Sequence, residues 1–330
     1  MTTKDLIAHQ SNEIAQTSRP EWSGYFERYL NPGTRAIYAR DIKDFFGGAI
    51  PTDTQEFIAR ATTQNVLQWR NQQSVLGLKA VTINRKLSAL RTFFEYAVAV
   101  GLLPRNPAHP KIVAPLKTAK WEPEISLSIE DIKAMLACCF EDKQKVRGMR
   151  DRAIIALGFT SILRRSEIVG LSWPDIVHGG SGRYMLKLRR AKGGEGETVP
   201  INRMTKRMIE EYLSCLGTPQ VIREDEDGLP IFISLSPRTY GKRLNDKSVN
   251  KIAKRRAKQA GLPEHAVHAH LLRHAGVTHL LDLGEDLAKV QVFARHKNPQ
   301  TTMVYNRVIE KFKNSAADRL ADEMFGTLGD

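Results

Sequence analysis

Five prolines between residues 104 and 123 limit what this chain can fold into more than any other feature of its sequence. Proline fixes φ and lacks a backbone N–H, so a proline-rich stretch without apolar periodicity continues neither a helix nor a central strand. We therefore expect an extended linker over residues 109–124. It would separate a domain over residues 22–108 from a larger one over 125–330, with a polar N-terminal arm over residues 1–21.

Apolar residues recur at helical spacing through most of both segments. The clearest stripe consists of Ile83, Leu87, Leu90, Phe94 and Ala97. The exception is residues 175–201, where apolar residues alternate on either side of glycine-rich turns. Ser128 with Asp131 forms a capping box at the start of the second domain. The fold class expected is mainly α with a small antiparallel β-sheet.

The formal net charge of +14 points to a polyanionic partner. Residues 1–120 hold 16 Lys and Arg against 9 Asp and Glu, and the rest holds 34 against 27. Both parts are therefore basic. A membrane surface would also attract positive charge, but through a local polybasic cluster, whereas here the charge is spread along the chain. Nucleic acid is the favoured partner.

Several classes of protein are disfavoured by what the sequence lacks. Three cysteines, two of them adjacent, make no disulfide framework. The N-terminus has no apolar signal region and no long apolar run follows, so we expect a cytoplasmic protein. The phosphate-binding motif of nucleotide hydrolases does not occur.

A cluster of reactive side chains occupies residues 270–305. His270 and Arg273 are three apart and would project from one face of a helix, and His296 and Tyr305 follow at the ends of later helices. A guanidinium with imidazole donors suits the oxygens of a phosphate, and a phenol can attack phosphorus.

This arrangement, His-x-x-Arg, then His, then Tyr nine residues later, resembles the tyrosine recombinase (phage integrase) family. Two residues depart from the usual motif: Leu271 replaces an acidic residue, and Arg295 replaces a glycine before His296. We expect Arg295 either to contact a phosphate or to alter how the segment of Tyr305 sits.

Further motifs of the family appear in the expected order. The block Ile162–Leu171 resembles Gly-Leu-Arg-x-x-Glu, whose spacing selects Arg164 rather than Arg165 as the catalytic arginine. Glu167 would then orient an arginine. Lys192 opens a glycine-rich hairpin loop at the position of the mobile catalytic lysine.

The resemblance implies an N-terminal helical core-binding domain and a catalytic domain that ends in a protomer-contact helix. It also implies a homotetramer acting on two DNA duplexes, with a 3′-phosphotyrosine intermediate and neither metal nor other cofactor. The catalytic residues it implies are Arg164, Lys192, His270, Arg273, His296 and Tyr305.

Two basic helix faces are candidates to contact double-stranded DNA. The face opposite the stripe of residues 83–97 carries Arg85 and Arg91 and lacks acidic residues until Glu95. A solvated face is the common alternative. The second face belongs to an amphipathic helix within residues 242–258 that we expect to enter or border the major groove. It carries Lys247, Lys251, Lys254 and Arg255.

Three alternatives stay open at this point. The histidines between 265 and 279 could bind zinc, although no cysteine lies nearby. A type IB topoisomerase uses similar chemistry to relax DNA. A DNA-binding regulator could retain the fold without catalysis. The target sequence, any accessory proteins and the biological role (integration, resolution, inversion or transposition) do not follow from these residues.

Overall fold

The computed structural model describes residues 22–29, 32–118, 127–180, 183–188, 196–217, 221–263 and 267–296, with Asn298 and Met303. The chain divides into two compact units, Met1–Glu122 and Pro123–Asp330. The predicted fold class is confirmed, since both units are mainly helical and the second contains a small antiparallel sheet. The predicted arm, the C-terminal helix, Lys192 and Tyr305 lie outside the described residues. Of the helices within those ranges, none is long and apolar enough to cross a membrane.

The N-terminal unit is an all-helical bundle in its described part. Its helices are α1 (Ser23–Glu27), α2 (Pro32–Phe45), α3 (Thr54–Arg60), α4 (Thr63–Val75) and α5 (Ala80–Ala99). The Asp53 and Thr62 side chains cap α3 and α4 by accepting backbone N–H groups, which explains where these helices begin. The apolar stripe predicted on α5 is buried, and it packs in a core rich in phenylalanine.

Residues 109–118 differ from the predicted extended linker, because they pack on the N-terminal unit. Val113 is fully buried there. The Leu116 N–H donates to Asn84 Oδ1 at 2.8 Å, and Arg91 Nη2 donates to the Val113 carbonyl at 2.7 Å. Buried backbone groups need partners, and here side chains of α5 supply them. The prolines predicted an irregular segment correctly but carried no information about the surface it packs against.

The second unit surrounds a central helix. Before the sheet come α6 (Ile129–Phe140), α7 (Lys145–Thr160) and α8 (Arg165–Gly170). After it come α9 (Arg203–Leu216), α10 (Asp246–Gln259), α11 (Ala269–Asp282) and α12 (Leu287–Ala294). α7 is buried on nearly all sides and packs against α6, α9 and α11. The predicted capping box of Ser128 and Asp131 is present at the start of α6.

The sheet has the order β1-β2-β3, with both neighbouring pairs antiparallel. Its strands are β1 (Ile176–His178), β2 (Tyr184–Leu188) and β3 (Glu197–Ile201). Leu186 lies opposite Ile176 on one side and Val199 on the other. Alternate residues face the core, as the period of two in the sequence predicted.

A glycine on α11 brings that helix directly against the end of α7. A Cβ atom at Gly276 would overlap the carbonyl oxygen of Phe159, so any larger residue would push the two helices apart. Ile162 lies two residues after the end of α7, and its carbonyl oxygen accepts a hydrogen bond from Arg273 on α11. The close approach at Gly276 therefore helps to fix Arg273 against the segment that leads to Arg164.

Candidate active site

The connection between α7 and α8 supplies the backbone of the site. Ile162 has a left-handed backbone with φ of 51°, which is rare for a β-branched residue. Its carbonyl oxygen accepts hydrogen bonds from Arg273 and, at 3.1 Å, from Arg295 Nη2. Two guanidinium groups are thus drawn to one carbonyl, two residues before Arg164.

Glu167 is the buried carboxylate that orients Arg164. Its Oε1 accepts from Arg164 Nη1 at 2.7 Å, and its Oε2 accepts from the Arg164 backbone N–H and from Arg295 Nη2, both at 2.7 Å. Burial raises the pKa of Glu167, but the charge of Arg295 and the bonds from Arg164 outweigh it, so this pKa lies below its usual value. Glu167 is therefore ionised at neutral pH and fits the predicted role of an orienting partner.

Arg273 lies at the bottom of the site and His270 at its rim. The Arg273 side chain is buried and donates to the carbonyl oxygens of Ile162 and Ala294. His270, one helical turn earlier on α11, is exposed. It borders a cleft whose other lining residues are Arg164, Arg165, Ser166, Asn250 and His268. The sequence had suggested His268 only as one of the possible zinc ligands, not as part of this cleft.

His296 follows the end of α12 beside the two arginines. Burial, together with the positive charges of Arg273 and Arg164, lowers its pKa to about 4. The imidazole is therefore neutral at pH 7 and can donate a hydrogen bond without adding charge. His274, whose ring centroid lies 4.4 Å from that of His270, also has a pKa of about 4, mainly because it is buried.

Arg164, Arg273, His270 and His296 are thus neighbours in the second unit, although more than 130 residues separate the first from the last. The Arg164 side chain keeps 27% exposure and donates through Nη2 to the Arg295 carbonyl at 3.0 Å. Lys192 and Tyr305 belong to the same predicted set but lie outside the described residues, so their placement stays a prediction.

Profiles of two known domains match this chain. The Phage integrase family matches residues 126–311, and the Phage integrase N-terminal SAM-like domain matches residues 24–101. This chain belongs to the phage integrase family. The family resemblance predicted from the motifs is confirmed, and with it the class of DNA breaking-rejoining enzymes that carry out site-specific recombination.

Curated relatives of the recombinase cover most of its length. A tyrosine recombinase XerC of Pelobacter propionicus is 32% identical over 86% of this chain and 87% of its own. A tyrosine recombinase XerD of Rickettsia bellii is 30% identical over 86% of this chain and 90% of its own.

Solved structures share the fold at lower identity. The XerH site-specific recombinase, bound to palindromic difH substrate in a post-cleavage complex, has a TM-score of 0.66 with 19% identity. The match covers 86% of this chain and 77% of that one. A lambda integrase dimer bound to a COC′ core site has a TM-score of 0.58 with 19% identity, over 91% and 97% of the two chains.

The arginines of α5 that were predicted to bind DNA are engaged within the recombinase. Arg85 forms an ion pair with Asp41, which is fully buried. Arg91 donates to the carbonyl oxygens of Ala108 at 3.1 Å and Val113 at 2.7 Å. Both side chains therefore have a structural role that the sequence did not reveal. Their contact with DNA stays a prediction.

The predicted DNA ligands on the basic helix α10 differ in whether an acidic residue pairs with them. Lys247 and Lys251 are exposed, and Lys254 is half-buried. Arg255, in contrast, forms an ion pair with the buried carboxylate of Asp151. The Arg255 side chain keeps 37% exposure, but the sequence did not reveal this acidic partner on another helix, and its contact with DNA stays a prediction.

Asp151 belongs to a group of charges whose pairing the sequence did not predict. We call it the Asp151 cluster, and it consists of Asp142, Arg150, Asp151, Arg255 and Arg256. Its members come from α7, α10 and the turn after α6, and no spacing in the sequence relates them. No group of three or more metal-ligating side chains occurs in the described part of the chain.

Proposed function

We propose that this recombinase cleaves duplex DNA at a specific site by attack of Tyr305 on a phosphodiester. The gathering of Arg164, Arg273 and His296 in one place is the observation that supports it. Two guanidinium groups and a neutral imidazole form a set of donors suited to the non-bridging oxygens of one phosphate. Such donors act most strongly in the transition state, where charge on those oxygens increases.

The remaining roles follow from the chemistry of each group. The phenol of Tyr305 is a poor nucleophile at its ordinary pKa, so His270 takes its proton during attack. The new bond joins the phenolic oxygen to phosphorus, and the bond from phosphorus to the 5′ oxygen breaks. Lys192 gives a proton to that leaving oxygen. The products are a 3′-phosphotyrosine and a free 5′ hydroxyl, and a 5′ hydroxyl of another strand reverses the step.

One phosphodiester replaces another in this scheme, so neither a nucleotide nor a metal is required. The partners we infer are double-stranded DNA with a recombination site and three further copies of the chain, forming a homotetramer on two duplexes. The Lys247 and Lys251 side chains of α10 are suited to phosphate contacts. We place the enzyme in the cytoplasm, on nucleoid DNA, with residues 22–108 as the core-binding domain and 125–330 as the catalytic domain.

Two other functions use a similar site. A type IB topoisomerase would relax plasmid DNA as a monomer whether or not a cloned site is present, so a plasmid nicking assay with and without the site separates the two. A non-catalytic regulator would bind DNA but form no covalent adduct. The similarity to tyrosine recombinases XerC and XerD over most of the chain favours the proposed reaction over both.

The experiment that tests the proposal is covalent trapping on a nicked suicide substrate. Tyr305→Phe removes the attacking oxygen and keeps the ring, so DNA binding should persist while the covalent complex is lost. Tyr240→Phe is the matched control, since Tyr240 is an exposed tyrosine of the same unit. It should form the adduct at the wild-type rate. An adduct in Tyr305→Phe would assign the nucleophile to another residue and refute the proposed role.

A further inference from the structure

Arg295 occupies a backbone position that an arginine rarely adopts. It follows α12 with φ of 55° and ψ of 45°, in the left-handed region where glycine or asparagine is usual. Its N–H donates to the Val292 carbonyl at 2.9 Å and the next N–H, of His296, donates to Gln291 at 3.1 Å, so this turn ends the helix. A long side chain persists in such a conformation only where its own contacts hold it.

The contacts of the Arg295 side chain all point into the protein. The side chain is only 7% exposed. Nη1 donates to the Phe293 carbonyl at 3.1 Å, and Nη2 donates to the Ile162 carbonyl at 3.1 Å and to Glu167 Oε2 at 2.7 Å. Nε lies 3.5 Å from a carboxylate oxygen of Glu197 on β3. Because Nη1 and Nη2 donate to these groups and the side chain is buried, the guanidinium is badly placed to contact a phosphate of DNA.

These contacts close a ring with the predicted catalytic arginine. Arg164 donates to Glu167, Glu167 accepts from Arg295, and the Arg295 carbonyl accepts from Arg164 Nη2 at 3.0 Å. Arg295 thus holds Arg164 twice, directly through its backbone and indirectly through Glu167. It also shares the Ile162 carbonyl with Arg273. His296 is the next residue in the chain.

We propose that Arg295 is a positioning residue that holds the Arg164 guanidinium and the backbone of the adjacent His296 in one arrangement. The inference rests on the proposed function, because it concerns the geometry of the same phosphate site. A glycine would suit the backbone at residue 295 better but would leave Glu167 to Arg164 alone. The arginine therefore accepts a strained backbone conformation at residue 295, and its side chain and carbonyl in return fix the position of Arg164.

The test is single-turnover cleavage of the nicked suicide substrate at saturating DNA by Arg295→Gly. This variant keeps a backbone compatible with the turn and removes the guanidinium. We expect the cleavage rate to fall about 10- to 100-fold, while DNA affinity and its dependence on salt stay as in wild type. Arg295→Lys, which keeps the charge but not the paired donors, should recover part of the rate. Methylguanidine should restore part of it in Arg295→Gly, with sodium chloride at equal ionic strength as the reference.

A surface variant, a double-mutant cycle and a stability measurement separate loss of positioning from loss of folded protein. Arg207→Ala, on the exposed part of α9, should cleave at the wild-type rate with or without methylguanidine. In a double-mutant cycle, Arg295→Gly should add little to the loss caused by Glu167→Gln, because both act on Arg164. Thermal unfolding of each variant gives the folded fraction, by which its rate is divided.

Three results would overturn the inference. The first is a wild-type cleavage rate for Arg295→Gly. The second is a slope of log K against log salt that is smaller in Arg295→Gly by about one phosphate contact, which would make Arg295 a DNA ligand. The third is a loss that disappears after correction for the folded fraction. Wild-type protein run in parallel tests the proposed function separately, since absence of its Tyr305 adduct counts against that function whatever Arg295 does.

Discussion

The second unit contains two groups of arginines whose surroundings differ in one respect. In the Asp151 cluster, Arg256 is fully buried and donates to two carboxylates, those of Asp151 at 2.7–2.9 Å and of Asp142. In the candidate site, Arg164 and Arg295 share the buried carboxylate of Glu167, and Arg273 donates to backbone carbonyls. A second carboxylate, of the half-exposed Glu197, lies 3.5 Å from Arg295. The first group has more buried negative charge within its reach, because the carboxylates of Asp142 and Asp151 are both buried whereas that of Glu197 is 45% exposed.

The difference indicates how one residue type serves two purposes. Buried charges stabilise a fold only when they are paired and hydrogen-bonded. In the Asp151 cluster the buried Arg256 meets this condition with carboxylates from α7 and the turn after α6. A phosphate site needs cations held rigidly but not neutralised. Carbonyl oxygens orient a guanidinium without cancelling its charge, so they suit a group that must still attract an anion. Substitutions in the two groups should therefore change different measurements.

The largest effect is expected in the Asp151 cluster. Arg256→Met leaves the buried carboxylates of Asp142 and Asp151 with fewer cations, so the free energy of unfolding should fall by about 3–5 kcal/mol. The cleavage rate per folded molecule should stay near wild type. Chemical denaturation and single-turnover cleavage measure the two. A cleavage loss of 100-fold or more in the folded fraction would break the distinction between the groups.

Arg164→Ala should give the opposite pattern. The cleavage rate should fall about 10²–10³-fold, because a donor to the transition-state oxygens is lost. The free energy of unfolding should change by only about 1 kcal/mol, since Glu167 keeps its bonds to Arg295 and to the backbone N–H of residue 164. Denaturation curves beside cleavage time courses test this. If stability fell as far as in Arg256→Met, the site arginine would be a structural one.

The response to pH should come from the site. The pKa values of His274 and His296 are lowered to about 4 in the folded protein, against about 6.5 in the unfolded chain. The unfolded chain then binds more protons, so stability is complete above about pH 6.5 and falls as the pH drops toward 4. His296→Asn should reduce that fall by about 1 kcal/mol, an amount kept small because the imidazole is only partly buried.

Urea denaturation at several pH values between 7 and 4 provides the measurement. His178→Asn is the matched control, because His178 is an exposed histidine on β1, and it should leave the curve unchanged. The pKa of Asp142 lies below its usual range, chiefly because Arg147 donates to its carboxylate, so this acidic residue should contribute only at still lower pH. An equal fall with pH in His296→Asn would assign the effect to other groups.

The smallest effect concerns two cations on one helix. Lys251 is exposed on α10, whereas Arg255 is paired with Asp151. If Lys251 meets a phosphate, Lys251→Ala should flatten the slope of log K against log salt by about 0.9. Arg255→Ala should leave the slope nearly unchanged and lower stability instead. Titration of DNA binding at several salt concentrations measures the slope for each variant. Equal slopes for both would mean that Arg255 contacts DNA despite its pairing with Asp151.

Local features of the sequence determined much of this recombinase. The stripe on α5, the capping box of α6 and the alternation in β2 depend on the period of each element, which a sequence displays directly. Glu167 was predicted to orient an arginine, and its carboxylate does accept a hydrogen bond from Arg164. The order of motifs identified the family, because residue types suited to phosphate chemistry stand at defined spacing along the chain.

Only the tertiary structure decided which charged side chains remain available to a ligand. The sequence places Arg85 and Arg255 on helix faces opposite the apolar stripe. In the structure, acidic residues of other helices pair with them, Asp41 with Arg85 and Asp151 with Arg255. The left-handed turn at Arg295 and its bond to Glu167, 128 residues earlier in the chain, were equally invisible. Helical periodicity tells which face a residue occupies, but the partner across that face comes from packing between distant segments. Coulombic pairing depends on that distance in space and not on separation in sequence.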